Sequence, residues 1–200
     1  MVNSFCGQAA IADLRASVIP RAHGRVLEIG SGSGLNLPFY SASSVSEVVG
    51  IDPSDAMHAF AQKSVDRAQV PVTLVKADAQ SIPLETGTFD TAVVTYSLCT
   101  IPNPNAALGE VARLLKAGGA LLFCEHGLAP DASVARWQRW LNPMWGLMGG
   151  GCRLNRDITG LISAAGFSIT DDRRDYLPGF RPAGYHYCGA AVCEKAASAS

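Results

Sequence analysis

Charge is scarce in this chain. Charged side chains make up 16% of its 200 residues, against about 25% in ordinary soluble proteins. Hydrophobic residues reach 48%, a balance that excludes a disordered chain. Sixteen Lys and Arg face seventeen Asp and Glu for a formal net charge of -1, so no basic field invites a nucleic-acid partner. No apolar run approaches the roughly 18 residues that a membrane span requires. The first ten residues lack the basic-then-apolar order of a secretory signal, and the expectation is a chain without leader or membrane anchor. Internal repeats and low-complexity linkers are also missing, and residues 196–200, all Ala and Ser, read as a frayed tail. The six cysteines form no Cys-x-x-Cys pair and the four histidines do not cluster with them along the sequence, so neither a zinc pattern nor a disulfide framework is expected. Cys124, inside an apolar run, reads as a buried small hydrophobe. Reduced thiols and a soluble composition fit the cytoplasm.

What is present is a rhythm. Residues 8–19 carry apolar side chains at helical spacing and stop at Pro20. Short apolar strands follow at 25–29, 45–51, 72–77, 89–96 and 120–125. Between them, Ser54 offers a cap for a helix to about Arg67, and residues 104–115 form another that ends at Gly118-Gly119. Strand, helix, strand at this spacing predicts an α/β fold with a mostly parallel sheet and helices on both faces. From Asp131 the pattern turns to amphipathic helices, and 167–170 and 184–193 close the chain as strands, with an antiparallel edge. The expectation is one domain over 1–195, with a helical cap at 1–23 and a helical lid at 127–165.

The first strand runs into Glu28-Ile29-Gly30-Ser31-Gly32-Ser33-Gly34. Alternate glycines let the chain turn sharply and let a ligand touch main-chain atoms. Leu35 stands where a dinucleotide fingerprint would need its third glycine. Asp52 ends the second strand, 22 residues after Gly30, where a carboxylate accepts from both ribose hydroxyls. Asp78 ends the third strand and precedes Ala79, an acceptor and a donor suited to an adenine edge. Acidic strand ends around one glycine loop define a ligand site at the carboxyl edge of the sheet.

These residues resemble the class I S-adenosylmethionine-dependent methyltransferases. Val26 to Gly34 looks like their first motif, Gly50-Ile51-Asp52-Pro53-Ser54 their second, Lys76-Ala77-Asp78-Ala79 their third, Phe89-Asp90 with Val93-Val94 their fourth, and Leu114-Leu115-Lys116-Ala117-Gly118-Gly119 the run into strand five. The resemblance implies a Rossmann-like seven-stranded sheet whose last strand is antiparallel, and S-adenosyl-L-methionine as cofactor. It sets Glu28, Gly30, Ser31, Gly32 and Gly34 against the methionine part, Asp52 and Pro53 at the ribose, Asp78 and Ala79 at the adenine, Met57 on the adenine face, and Tyr96 at the same edge. A narrower likeness, in Ser97-Leu98-Cys99-Thr100-Ile101, Glu125-His126, Leu141-Asn142-Pro143-Met144-Trp145 and Gly151 to Arg156, is to the methyltransferase-like family whose animal members methylate alkyl thiols. Those relatives begin with a hydrophobic anchor that this sequence does not show.

The acceptor is then a small molecule, a thiol first and an amine second; a nucleotide-binding regulator without turnover is the reading from another class. A thiol with pKa near 8.5 is only a few per cent ionised at pH 7, so a base helps. His126, just beyond the fifth strand, is the candidate catalytic residue, with a capping or packing role as its plain alternative. His186 lies in the last strand with unknown facing, while His23 and His58 read as surface helix residues. Trp137, Trp140, Met144, Trp145 and Met148 form either a helix face packed on the sheet or an apolar lid with Gly149-Gly150-Gly151 as its hinge. Phe5 and Tyr40 would close the pocket from the other side, and Cys99 would line it without a catalytic role.

Overall fold

The computed structural model describes residues 9–194. Phe5, Cys6, the first residue of the expected N-terminal helix and the tail at 196–200 lie outside the described residues. Seven strands form one sheet in the order β3-β2-β1-β4-β5-β7-β6. They are β1 (Gly24–Ile29), β2 (Val45–Asp52), β3 (Val72–Lys76), β4 (Phe89–Thr95), β5 (Leu115–His126), β6 (Phe167–Tyr176) and β7 (Tyr185–Cys193). β1 to β5 pair in parallel, and β7 runs antiparallel to both β5 and β6. The sequence of strand directions is therefore the one expected.

Helices cover both faces because the strands are apolar on both sides. Side chains alternate across a strand, so Leu27, Ile29, Val94, Leu121 and Phe123 join α3 (Pro104–Leu114) and α5 (Ile158–Ala164) in one core. Val26, Val48, Val93, Leu122 and Cys124 join α1 (Ala9–Val18) in the other. α1 buries Ile11, Arg15 and Val18, one helical stripe. α2 (Asp55–Val65) starts on the Ser54 side chain, which accepts from the Met57 N–H, as the sequence suggests.

Three local expectations are corrected. α3 stops at Leu114, and Gly118-Gly119 fall inside β5 rather than capping a helix. β6 runs to Tyr176, six residues beyond the expected end. As an edge strand it pairs on one side only, and Asp172, Arg173 and Arg174 extend it with their side chains in contact with water, which an apolar pattern does not register. His23 is an exposed loop residue, not a helical one, and its N–H donates to Thr91 Oγ1 at 3.2 Å. Among the described residues no helix is long and apolar enough to cross a membrane.

Where α1 meets the sheet, the buried stripe turns polar. The Arg15 guanidinium, 5% exposed, donates from Nη1 to Asn36 Oδ1 and to Thr95 Oγ1, the latter at 2.8 Å. Asn36 Nδ2 donates to Glu28 Oε1 at 3.1 Å, and Tyr40 OH donates to Glu28 Oε2 at 2.7 Å. Removing one member of a buried charged network leaves the others unpaired and costs about 3 kcal/mol or more. Arg15→Met should therefore lower the unfolding free energy by about 3 kcal/mol in a urea titration with unchanged slope. A loss below about 1 kcal/mol would mean that water replaces the guanidinium without difficulty.

Candidate active site

The glycine loop leaves β1 and is hitched to the neighbouring strand. Gly30 and Ser31 donate their N–H groups to Ile51 O at 2.8 and 3.1 Å. Gly30 has φ +67, and a Cβ there would stand 2.1 Å from Ser97 Oγ, so only glycine fits. Gly32, at φ +53, is different: an added Cβ would meet only the Met57 methyl at 3.5 Å and Gly30 O at 3.8 Å. The protein leaves that face of the loop open, with Met57 at its side. Asp52 locks the arrangement, accepting from Gly32 N at 3.0 Å through Oδ2 and from Ser54 N at 2.9 Å through Oδ1.

Asp78 stands at the next strand end, exposed, and accepts from the Gln80 N–H at 2.9 Å. That backbone N–H, with the Gln80 side chain, holds its carboxyl below the usual range. Ala79 beside it is buried, and Pro53 is exposed. Gly32, Met57, Asp52, Asp78 and Ala79 thus line the carboxyl ends of β1, β2 and β3. An open glycine cradle flanked by a half-buried carboxylate and a second acceptor is what an adenosyl group requires.

Two expected contact residues turn out to be supports. Glu28 is 1% exposed, with its oxygens engaged by Asn36 and Tyr40, and burial pushes its pKa up. Tyr40 is 2% exposed and its hydroxyl is spent on Glu28, so it braces the loop from below instead of lining an acceptor pocket.

The second half of the site lies beyond β4 and β5. Tyr96 follows β4 at φ +52, the left-handed region, the one non-glycine residue there among the described residues. Its ring lies 6.3 Å from His126, the last residue of β5, and 5.7 Å from His186 of β7. His186 sits opposite His126 in the strand register and donates from Nδ1 to Gly184 O at 2.7 Å, and burial drives its pKa down to about 4. His126 Nε2 meets Cys152 Sγ at 3.1 Å. Cys99, in the turn after β4, completes a group whose donor atoms all lie within 4.8 Å of one another. The Cys99 thiol and then the His126 ring hold Cys152 well below the usual thiol range. Burial pulls the His126 ring down, but the Cys152 sulfur outweighs it and raises the ring above its ordinary value.

Tertiary structure also decides the fate of the tryptophan segment. α4 (Ala132–Met148) buries Val134 and Gln138, not its aromatic residues. Gln138 is fixed by Ala129 N, Gly127 O and Pro182 O, each at 2.9 Å. Trp137 and Met148 are 56% and 63% exposed, so neither the packed face nor a closed lid is formed by them. Trp145 alone turns inward, stacking on Phe180 at 6.0 Å and hydrogen-bonding Cys152. The sequence alone brings Cys152 near the donor without a catalytic role and leaves the facing of His186 open; they are 26 and 60 residues from His126, and β7 brings in His186 while the loop after α4 brings in Cys152. A separate open cleft between α3 and α5, lined by Pro104, Arg156, Asp157 and Leu161, contains none of the glycine-loop or strand-end residues.

The sheet order, the glycine cradle and the strand-end carboxylates define a class I S-adenosylmethionine-dependent methyltransferase. A family described as "Methyltransferase domain" matches residues 27–123. Thiol S-methyltransferase TMT1B of Rattus norvegicus is 34% identical over 174 residues, 84% of this chain and 70% of that protein. Phosphatidylethanolamine N-methyltransferase of Cereibacter sphaeroides is 38% identical over 105 residues, 52% of this chain and 51% of its own. Among solved structures, a putative methyltransferase from Bacillus halodurans superposes with TM-score 0.71 at 16% identity, covering 92% of this chain and 96% of that one. The chain belongs to the S-adenosylmethionine-dependent methyltransferases, and S-adenosyl-L-methionine is its cofactor.

Asp52→Ala should weaken S-adenosylmethionine binding at least tenfold, because a lost charged acceptor costs about 1.5–3 kcal/mol and 1.4 kcal/mol is tenfold. Unchanged affinity in calorimetry would leave Asp52 with its bonds to Gly32 N and Ser54 N alone. Tyr40→Phe should act differently, lowering stability by about 1.5–3 kcal/mol through the lost bond to buried Glu28 while leaving the acceptor KM unchanged. A raised KM at normal stability would return Tyr40 to the acceptor pocket.

Proposed function

We propose that this chain methylates the sulfur of a small thiol, in the cytoplasm. The observation that carries the reading is the contact between His126 Nε2 and Cys152 Sγ at 3.1 Å, beside Tyr96 and Cys99, beyond the ends of β4 and β5. Likeness to a thiol S-methyltransferase over 84% of the chain supports the same acceptor. The five described cysteines are free thiols, which fits a reducing compartment.

When bound, the cofactor supplies a methyl group already activated on a sulfonium. The chain's own work is to bind, align and keep water away. Gly30, Ser31, Gly32 and Gly34 cradle the methionine part with Glu28 bracing the loop, Asp52 beside Pro53 accepts from the ribose, Asp78 and Ala79 meet the adenine edge, and Met57 packs on its face. Tyr96, in its left-handed conformation, forms the wall between cofactor and acceptor. Cys99 and Trp145 border the acceptor, and Trp137 and Met148 offer apolar surface at the open end. His126 handles the acceptor's proton, with the Cys152 sulfur as its neighbour.

The second reading is an amine acceptor, favoured by the likeness over 105 residues to an enzyme named for phosphatidylethanolamine and by exposed indoles able to face a cation. Incubation with S-adenosylmethionine and a panel of alkyl thiols and amines, read by mass spectrometry, separates the two. An S-methylated product is expected; N-methylation alone would overturn the sulfur assignment. His126→Ala should lower turnover by about 10²-fold with cofactor affinity nearly unchanged. Wild-type turnover in that variant would leave His126 as a packing residue.

A further inference from the structure

We propose that Cys99, His126 and Cys152 bind a zinc ion, with the sulfur of the acceptor thiol as its fourth donor. Metal ligation was not expected from the sequence, because no two of these residues stand close along the chain. The fold brings them together from three places: the turn after β4, the last residue of β5, and the loop after α4. Zinc bonds of about 2.0 Å to nitrogen and 2.3 Å to sulfur in a tetrahedron require donors roughly 3.5 to 3.8 Å apart. The observed His126–Cys152 separation is 3.1 Å and no pair in the group exceeds 4.8 Å. Shifts of a few tenths of an ångström to about one ångström would complete the geometry, which side-chain rotation supplies.

The donor set selects the metal. Two thiolates and one imidazole suit zinc, whereas calcium and magnesium need oxygen ligands. The group is also held in place before any ion arrives. Arg153 N donates to Cys99 O at 2.9 Å, tying the two cysteine loops together. Ser97 N and Leu98 N donate to Glu125 Oε1 at 2.6 and 2.9 Å, fixing the turn that carries Cys99 to the end of β5. A second observation points the same way. Glu125, the residue before His126, is 0% exposed, and its Oε2 has no hydrogen-bond partner among the described residues. A buried carboxyl oxygen without a partner is costly, and a cation held at the adjoining donors would offset that cost.

Three protein ligands leave one position open, the pattern of sites that take a reactant into the metal shell. The identity of that fourth donor rests on the sulfur-acceptor reading above. The acceptor binds through sulfur and its thiol proton leaves to water, since coordination deprotonates a thiol. Its sulfur electron pair then forms a bond to the methyl carbon. The bond from that carbon to the cofactor sulfonium breaks, and the pair stays on the cofactor sulfur. The products are a methyl thioether and S-adenosylhomocysteine, with no change of metal oxidation state. On a chain carrying zinc, His126 is a ligand rather than a proton acceptor, and the loss in His126→Ala is loss of the ion.

The test uses the full chain loaded with zinc or cobalt(II). Elemental analysis should give one zinc per chain, and cobalt(II) should show the intense visible bands of a tetrahedral thiolate site. Cys99→Ser, Cys152→Ser and His126→Gln should each weaken metal binding at least tenfold, while calorimetry with S-adenosylmethionine shows the cofactor site intact. Ethanethiol should shift the cobalt bands at a concentration where ethylamine does not. Wild-type chain that neither retains zinc nor gives the cobalt spectrum would overturn the site, as would Cys152→Ser with undiminished affinity. Unshifted bands with ethanethiol would overturn the fourth donor. S-methylated product from metal-free chain would overturn this inference alone, whereas a loaded chain that methylates only amines would overturn the sulfur reading.

Discussion

Glu28 is a carboxylate with almost no water around it, and the first half of the site depends on making that position tolerable. The side chains of Tyr40 and Asn36 donate to it, and Arg15 holds Asn36 and Thr95 from the opposite helix. A buried carboxyl group of this kind is stable only while its partners stay in place. In return it fixes the start of the glycine loop against α1, the short turn at Leu37–Phe39 and the end of β4 at once. The cradle above it can then be open on one side without collapsing. Rigidity below and vacancy above are two parts of one arrangement.

The second half of the site is built differently. Tyr96, His126 and His186 come from the ends of adjacent strands, β4, β5 and β7, and their rings meet because antiparallel β7 returns its first residues to the edge where β5 finishes. A parallel last strand would have brought its far end there instead. The reversed strand therefore places a histidine beside a histidine. Cys152 arrives separately, carried by the loop after α4, a helix held by buried Gln138 and by Trp145 against Phe180. Trp137, Trp140, Met144 and Met148 on that helix face water.

The two halves carry different kinds of information about function. The relatives carry names for different acceptors, a thiol for one and phosphatidylethanolamine for another. In the second half sulfur, imidazole and a left-handed tyrosine meet, a different chemistry from the glycines and carboxylates of the first.

By itself the sequence determined the sheet, the glycine cradle and its acidic strand ends. Those features are local: an apolar run, glycines at alternate positions and an aspartate at the end of a strand are each read from a short stretch of chain. Asp52 and Gly32 were legible for that reason, and so was His126 as the residue after an apolar strand. The tertiary structure alone decided that Tyr40 braces instead of lining, that β6 runs through a charged stretch, and that Cys99 and Cys152 share one place with His126. Those outcomes depend on which strand ends lie side by side and on where a helix spends its buried face. Side chains 26 and 27 residues apart leave no periodic trace of their meeting, because the order of strands brings Cys99 to His126 and the packing of α4 brings Cys152, neither of which follows from spacing along the chain.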